Sequence, residues 1–450
     1  MRDALLAMFC AALLAVIMTT PHVGALAYAW FSLMNPHRLT YGFAYTLPLA
    51  FAFAVATIAA WILSDERKLP DMTLLAWWLV LFGIWICVTT WSALVPEPAM
   101  EKFDRVIKNL IAVFVTLVLI DRRSRLTQLV WVVTLSIVIF GVKGGIFTIL
   151  TGGSHRVWGP PASMIADNNT LALALVMVLP LLYHLCRQAP HPWLRRGLYV
   201  ALGLTLVAIV GTQSRGGMLA LGAMGVLFWW RAPHKLAFAL IGLSVAALVG
   251  WLMFDVIVER LSTLQDVDAD ASAQGRFEAW AFALKIVEEH PWTGGGFFVF
   301  TLNEQIIEGE LGYLNAHSIY FEVLGEHGYV GLVLFVGLIL GCLISCARVM
   351  RTTAGREDLH WAHDLASSLQ LATIGYAVGG AFLTMAFYDL FYYFLAIAVI
   401  NQTVVRAILE QERYEARIRS ARLFAEHRRS LRYHTPVRAL APAFVPTARD

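Results

Sequence analysis

One histidine and six basic residues have the types and positions to do chemistry on an anionic substrate in this chain. His317 opens an apolar run in Asn315-Ala316-His317-Ser318. A neutral imidazole with a pKa near ~6.5 can take a proton from a hydroxyl at physiological pH. A histidine at a helix start is, however, more often a cap or a surface residue. Arg215 lies in the tight turn Gln213-Ser214-Arg215-Gly216-Gly217, and Arg276 follows Gly275 at the expected start of an amphipathic helix. Backbone N–H groups at a helix N-terminus favour an anion, so Arg276 beside one is a candidate phosphate site. Arg105 and Lys108 share a helix face near one end, Lys143 falls within an apolar run, and Arg156 lies in a loop. Charges in and beside apolar spans are costly, and their clustering on one face points to an anionic ligand. The competing reading is local pairing, for example of Arg105 with Glu101.

The elements that must position these residues follow from composition. The chain has 450 residues, 59% hydrophobic and 14% charged, with a formal net charge of +3 and a mean hydropathy of +0.66. Soluble domains run roughly 45–50% apolar and ~25% charged. Those values exclude a disordered chain, a disulfide-stapled mini-protein and a nucleic-acid-binding module, and argue strongly against a soluble enzyme. The expected fold is an all-α polytopic membrane protein of about twelve transmembrane helices with one long helical periplasmic segment. The spans read near 4–18, 43–63, 73–92, 104–120, 126–149, 168–186, 195–212, 216–230, 234–254, 318–347, 364–387 and 389–409. The first could instead be a signal peptide, but no small-residue cleavage site follows it, which favours a retained anchor. The expected organisation is nine spans over 1–254, a periplasmic segment with amphipathic helices over 255–317, three spans over 318–409, and a basic cytoplasmic tail over 410–450.

With the N-terminus placed inside, the loops holding Arg67-Lys68, Arg122-Arg123, Arg195-Arg196, Arg231 with Lys235, and Arg348 with Arg351 and Arg356 all fall in the cytoplasm, as the positive-inside bias requires. So does the tail over 406–438, with nine Arg and four Glu. The segment 255–317 then lies outside, with eleven acidic and three basic residues. Within it Phe277, Trp280, Ala281, Leu284 and Val287 recur at helical spacing, predicting a helix over 276–289 ended by Pro291 and Gly294-Gly295-Gly296. Asp266-Val267-Asp268-Ala269-Asp270 starts like a calcium loop, but Ala271 and Phe277 stand where the needed Gly and bidentate Glu belong, so a solvated acidic loop is the better reading. His360 and His363 have no evident third ligand. The five cysteines lie in apolar spans without ligand or redox spacing. No P-loop, GxSxG or dinucleotide motif is present.

His317-Ser318, followed by Gly328-Tyr329-Val330-Gly331, resembles the signature of bacterial O-antigen ligases. The string His317 to Gly328 is similar to the variant found in exosortase-associated systems, an O-glycosylation ligase. So are Asn35-Pro36-His37-Arg38-Leu39-Thr40-Tyr41-Gly42, Gly159-Pro160-Pro161 with Asp167-Asn168-Asn169, Ser214-Arg215-Gly216, Gly275-Arg276-Phe277, and Pro291 to Phe297. The resemblance covers nearly the whole chain. It implies a C-type glycosyltransferase of the inner membrane, inverting, metal-independent and without a cofactor. Such an enzyme takes a glycan from undecaprenyl diphosphate on the periplasmic side and attaches it to the lipid A core. The family's catalytic histidine corresponds to His317 and its diphosphate-binding arginines to Arg215 and Arg276. Arg105, Lys108, Lys143 and Arg156 would form a second layer around the site or a donor entry path. The implied partners are the lipid-linked donor, the core acceptor and membrane lipids, with no nucleic acid. Rival readings are an O-antigen polymerase, a protein O-oligosaccharyltransferase and, outside enzymes, a lipid-linked-glycan transporter. The transporter reading would favour midplane charges such as Lys143.

Overall fold

The computed structural model describes residues 2–65, 70–231, 271–307, 310–313 and 315–433, with 235–236, 239–240, 242–243 and 247 between them. Two compact units divide at Thr403/Val404. The first begins with α1 (Arg2–Thr19), α2 (Pro21–Met34), α3 (Leu49–Leu63), α4 (Leu74–Trp91), α5 (Pro96–Leu119) and α6 (Arg123–Leu150). It continues with α7 (Asn168–Gln188), α8 (Pro192–Gly211), α9 (Arg215–Arg231), α10 (Ala271–Glu289), α11 (Ile319–Thr352) and α12 (His360–Gly379). A last helix, α13 (Asp389–Tyr433), starts in the first unit, and its part beyond Thr403 supplies the described portion of the second.

Among the described residues eight helices are long and apolar enough to cross a membrane: α1, α4, α6, α7, α8, α11, α12 and α13. The sequence predicts about twelve. Of the remaining four, α3 has 15 residues and α9 has 17. The first half of α5 is charged, with Glu97, Glu101, Lys102, Asp104, Arg105 and Lys108. The expected span 234–254 falls almost wholly outside the described residues, as does the acidic loop through Asp266, Asp268 and Asp270. The segment expected to be helical also contains an antiparallel hairpin, β1 (Glu304–Ile307) with β2 (Glu310–Tyr313). The β-branched pair Ile306-Ile307 favours extended backbone there.

Packing follows apolar distribution. Helix α7 is apolar around its circumference and buried from Leu171 to Leu182, the behaviour of a central helix. It packs on α8 and α12, and α11 packs on α4 and α12. Helices α6 and α8 approach closely because Gly145 leaves room for the Leu204 carbonyl and Gly141 for Thr205, small residues being what lets membrane helices meet.

The turns at one end of the bundle converge. Leu94 N–H donates to Gly295 O at 2.8 Å, Val157 N–H to Gly211 O at 3.0 Å, and His317 N–H to Thr384 Oγ1 at 2.9 Å. At the opposite end Arg123 lies 4.7 Å over the Trp361 ring, and Arg187 pairs with Asp364 at 3.0 Å. The N-terminus corrects the orientation read from sequence. Asp3 Oδ1 accepts from Gly42 and Ala44 N–H at 3.0 and 3.1 Å, and Arg2 lines a cavity with Lys143 and Arg156. The chain therefore starts at the His317 end. The reason is α2, a helix of 14 residues that folds back along α1 and adds a passage the charge count did not include.

Helix α11 is broken at Gly328, whose φ is +67°. A Cβ there would meet the Trp292 carbonyl oxygen at 2.2 Å. Gly328→Ala is therefore expected to destabilise the protein by at least the strain of a forced left-handed residue, about 1–3 kcal/mol. Thermal unfolding in detergent reads this directly; an unchanged midpoint would mean the kink relaxes without loss.

Candidate functional site

The site is assembled from helix starts and the turns beside them. His317 precedes α11 with φ +45°, held by its backbone N–H on Thr384 Oγ1 at 2.9 Å. Its neighbour Ala316 accepts from Trp280 Nε1 at 2.8 Å, and the Trp280 ring stacks on Phe321 at 4.8 Å. That clamp ties α10 to the start of α11. Arg276 lies one helical turn before Trp280, on the face that continues through Ala283 and Val287, both buried. The sequence placed Arg276 at a helix N-terminus, but α10 begins at Ala271, so its backbone N–H is inside the helix. Ala271, Ala273 and Gln274 are good helix formers and carry the helix through Gly275. The buried face is also rotated from the predicted one, since Phe277 is 65% exposed.

Arg215 is the first residue of α9. Ser214 ends the preceding turn, its Oγ accepting from Gly217 N–H at 3.1 Å. The start of α9 meets the same segment that holds His317: a Cβ on Gly216 would contact Phe382 at 3.7 Å, two residues from Thr384. Asp167 caps α7 by accepting from Asn169 N–H at 2.7 Å, and Asn168 donates to Thr212 O at 2.8 Å, tying this cap to the turn before Arg215.

The imidazole of His317 has a pKa below the usual histidine value. Burial is the main cause; the Arg276 charge pushes the same way, and the Asp167 carboxylate opposes both. The ring is thus neutral at physiological pH, the state that accepts a proton. An imidazole base, a guanidinium on each of α9 and α10 and one carboxylate could together deprotonate a hydroxyl beside a bound anion.

The other expected residues fall into two groups. Arg156 donates through Nε to Gln213 Oε1 at 3.4 Å, next to Ser214-Arg215, and lines one cavity with Lys143. Lys108 instead pairs with Asp104 at 2.6 Å on its own helix and lines an apolar cleft with Phe51 and Val55. Arg105 approaches Asp389, whose carboxylate accepts from Asn109, which in turn accepts from Tyr28 OH at 2.8 Å. Arg105 and Lys108 thus sit on a different flank from Lys143 and Arg156. Among the described residues no group of three or more His, Cys, Asp or Glu is arranged to hold a metal.

Sequence reasoning missed a buried triad. Lys102 Nζ donates to Glu322 at 3.0 Å and to Glu326 at 2.8 and 2.9 Å. Glu326 also accepts from Phe298 N–H at 3.0 Å, and Glu322 from Ala386 N–H at 2.9 Å. Two carboxylates four residues apart in an apolar span were the available signal. Asp167 was likewise visible only as part of a motif.

Comparison with known proteins adds three likenesses. Residues 1–190 match a family of unknown function (DUF5935). Residues 200–336, which carry Arg215 and Arg276 and run on through His317 into α11, match the family described as O-Antigen ligase. An O-antigen ligase of Pseudomonas aeruginosa PAO1 is 31% identical over 143 residues, covering 31% of this chain and 32% of that protein. The chain thus aligns with about a third of that relative's length.

Proposed function

From the premise that residues 200–336 carry an O-antigen ligase family domain, we propose that the protein transfers a glycan from undecaprenyl diphosphate to a sugar hydroxyl of the lipid A core. The transfer takes place at the periplasmic face of the bacterial inner membrane. The observation that carries this reading is that Arg215 heads the helix beside the segment that holds His317, whose ring also feels the charges of Arg276 and Asp167.

In this mechanism the acceptor hydroxyl attacks the anomeric carbon while His317 takes its proton. The new carbon–oxygen bond forms as the bond to the diphosphate oxygen breaks, and the diphosphate leaves with the electron pair. Arg215 and Arg276 hold the diphosphate and stabilise the charge that grows on it. A single displacement inverts the sugar. With the leaving charge matched by two guanidiniums, the chemistry needs no metal. Holding both substrates at one surface supplies much of the rate.

Transfer from lipid-linked donor to core acceptor in proteoliposomes tests this. Arg215→Gln and Arg276→Gln are each expected to weaken donor binding about 10- to 150-fold, the worth of a hydrogen bond to a charged group at about 1.5–3 kcal/mol. Lysine at either position should restore only part, because it lacks the planar fork. The products discriminate the alternatives: a lengthened undecaprenyl-linked polymer, glycan on protein, or lipid flipping without a covalent product would each replace the ligase reading.

A further inference from the structure

Beside the histidine site lies a separate cavity of about 760 Å³, lined among others by Arg2, Arg38, Tyr41, Lys143, Arg156 and Trp158, with no carboxylate among the described residues of its wall. The four cations come from four places: the first turn of α1, the turn after α2, α6 seven residues before its end, and the loop that follows α6. Three of them make contacts other than a counter-charge, the Arg2 guanidinium lying 6.0 Å from the Tyr41 ring. Asp3 anchors the start of α1 by accepting two backbone N–H groups. The Arg38 guanidinium stacks 4.6 Å over Tyr45, and its Nε is buried without a hydrogen-bond partner. Arg156 donates to a neutral amide. Among the described residues none of the four is paired with an acid.

Four like charges around one cavity repel one another, and an ammonium about 10 Å inside a helix end is costly beside apolar walls. A multivalent anion removes both penalties, and phosphate is the anion that guanidinium forks match. Tyr41 and Trp158, 91% and 60% exposed, add aromatic faces at the same cavity. Such faces suit the apolar side of a sugar ring. The pairing of phosphate-matching cations with aromatic faces describes a phosphorylated saccharide. All six residues precede position 162, outside the region matching the ligase family.

We propose that this cavity binds phosphate groups carried on the acceptor glycolipid, so that the N-terminal region selects a phosphorylated acceptor while Arg215, Arg276 and His317 handle the donor. The assignment to the acceptor rests on the ligase reading; the recognition of phosphate rests on the cavity alone.

The test measures binding to the full chain in neutral-lipid nanodiscs, in a His317→Asn background so that turnover plays no part. The probes are a phosphate-bearing core glycolipid and the same glycolipid after phosphatase treatment. The phosphorylated form is expected to bind at least about tenfold tighter, with a preference that shrinks at high salt. Arg2→Gln with Arg38→Gln should bring the ratio close to one, while Arg38→Lys, which keeps the charge but not the planar fork, should keep only part of it. Equal binding of both glycolipids, or a preference the double variant leaves intact, overturns the proposal. Weakened binding of the lipid-linked diphosphate donor in the double variant, with glycolipid binding unchanged, assigns the cavity to the donor instead. Displacement of the glycolipid by phosphatidylglycerol at equal concentration assigns it to a lipid headgroup. These constants remain readable if the chain proves to transfer nothing, so failure of the ligase reading and failure of this proposal are separable.

Discussion

Replacing His317 is expected to lower glycan transfer about 10²- to 10⁴-fold, the usual contribution of a positioned general base. The choice of substitute matters. With φ at +45°, alanine at this position adds backbone strain, whereas asparagine tolerates the left-handed region. The backbone bond to Thr384 does not involve the imidazole. His317→Asn should therefore fold, bind donor and fail to transfer. Transfer at the unaltered rate by folded His317→Asn protein would remove the histidine from the chemistry.

The pH dependence gives a sharper reading of the same group. In the proposed mechanism the active form is neutral, and the folded pKa lies below the ordinary histidine value of about 6.5. The acid limb of kcat/KM should accordingly fall below pH ~6.5. The sign for stability agrees. The unfolded chain takes up the proton first, so this residue's contribution is fully present above the unfolded pKa and is lost as pH drops toward the folded one. The two neighbouring charges predict opposite displacements. Arg276→Gln removes a repelling cation and should move the acid limb up, whereas Asp167→Asn removes an attracting carboxylate and should move it down. A profile that moves the same way in both variants would mean these charges do not act on the catalytic proton.

Much of the candidate site was legible in the sequence because the chemistry proposed for it is carried by charges out of place. An arginine in a glycine turn and a histidine opening an apolar run stand out against a membrane background, and the structure brings Arg215, Arg276 and His317 to neighbouring elements. The separation of Lys108 and Arg105 from Lys143 and Arg156 was not legible. A shared helix face fixes direction around one axis, but which neighbour it meets depends on helix packing. The start of α10 was misplaced because Gly275 read as a boundary, and tertiary clamping through Trp280 outweighs the weak penalty of an internal glycine. The N-terminal end was inverted because a 14-residue helix is too short to register as a span. Asp167 was hidden by its double use, capping a helix while its charge reaches a ring 150 positions away in the chain.

The largest effect on stability is expected from Lys102→Met. The Lys102 side chain is 15% exposed, and those of Glu322 and Glu326 are 4% and 3% exposed. Removing the ammonium leaves two facing carboxylates in apolar surroundings with only backbone N–H donors. Breaking a buried pair by taking one partner typically costs about 3–5 kcal/mol. The triple variant Lys102→Met, Glu322→Gln, Glu326→Gln should recover most of the loss, since amide oxygens can still accept from Ala386 and Phe298 while no charge stays buried. The single variant should also disturb the site. Glu322 pins the segment containing Ala386, and that segment presents Thr384 to the His317 backbone. Loosening it displaces the imidazole without touching it, so transfer should fall in Lys102→Met beyond what the unfolded fraction explains. Thermal unfolding and transfer rates at a temperature where each variant is fully folded separate the two effects. A Lys102→Met protein within 1 kcal/mol of the unaltered chain would mean that the lysine is not what stabilises the two glutamates in this part of the bundle.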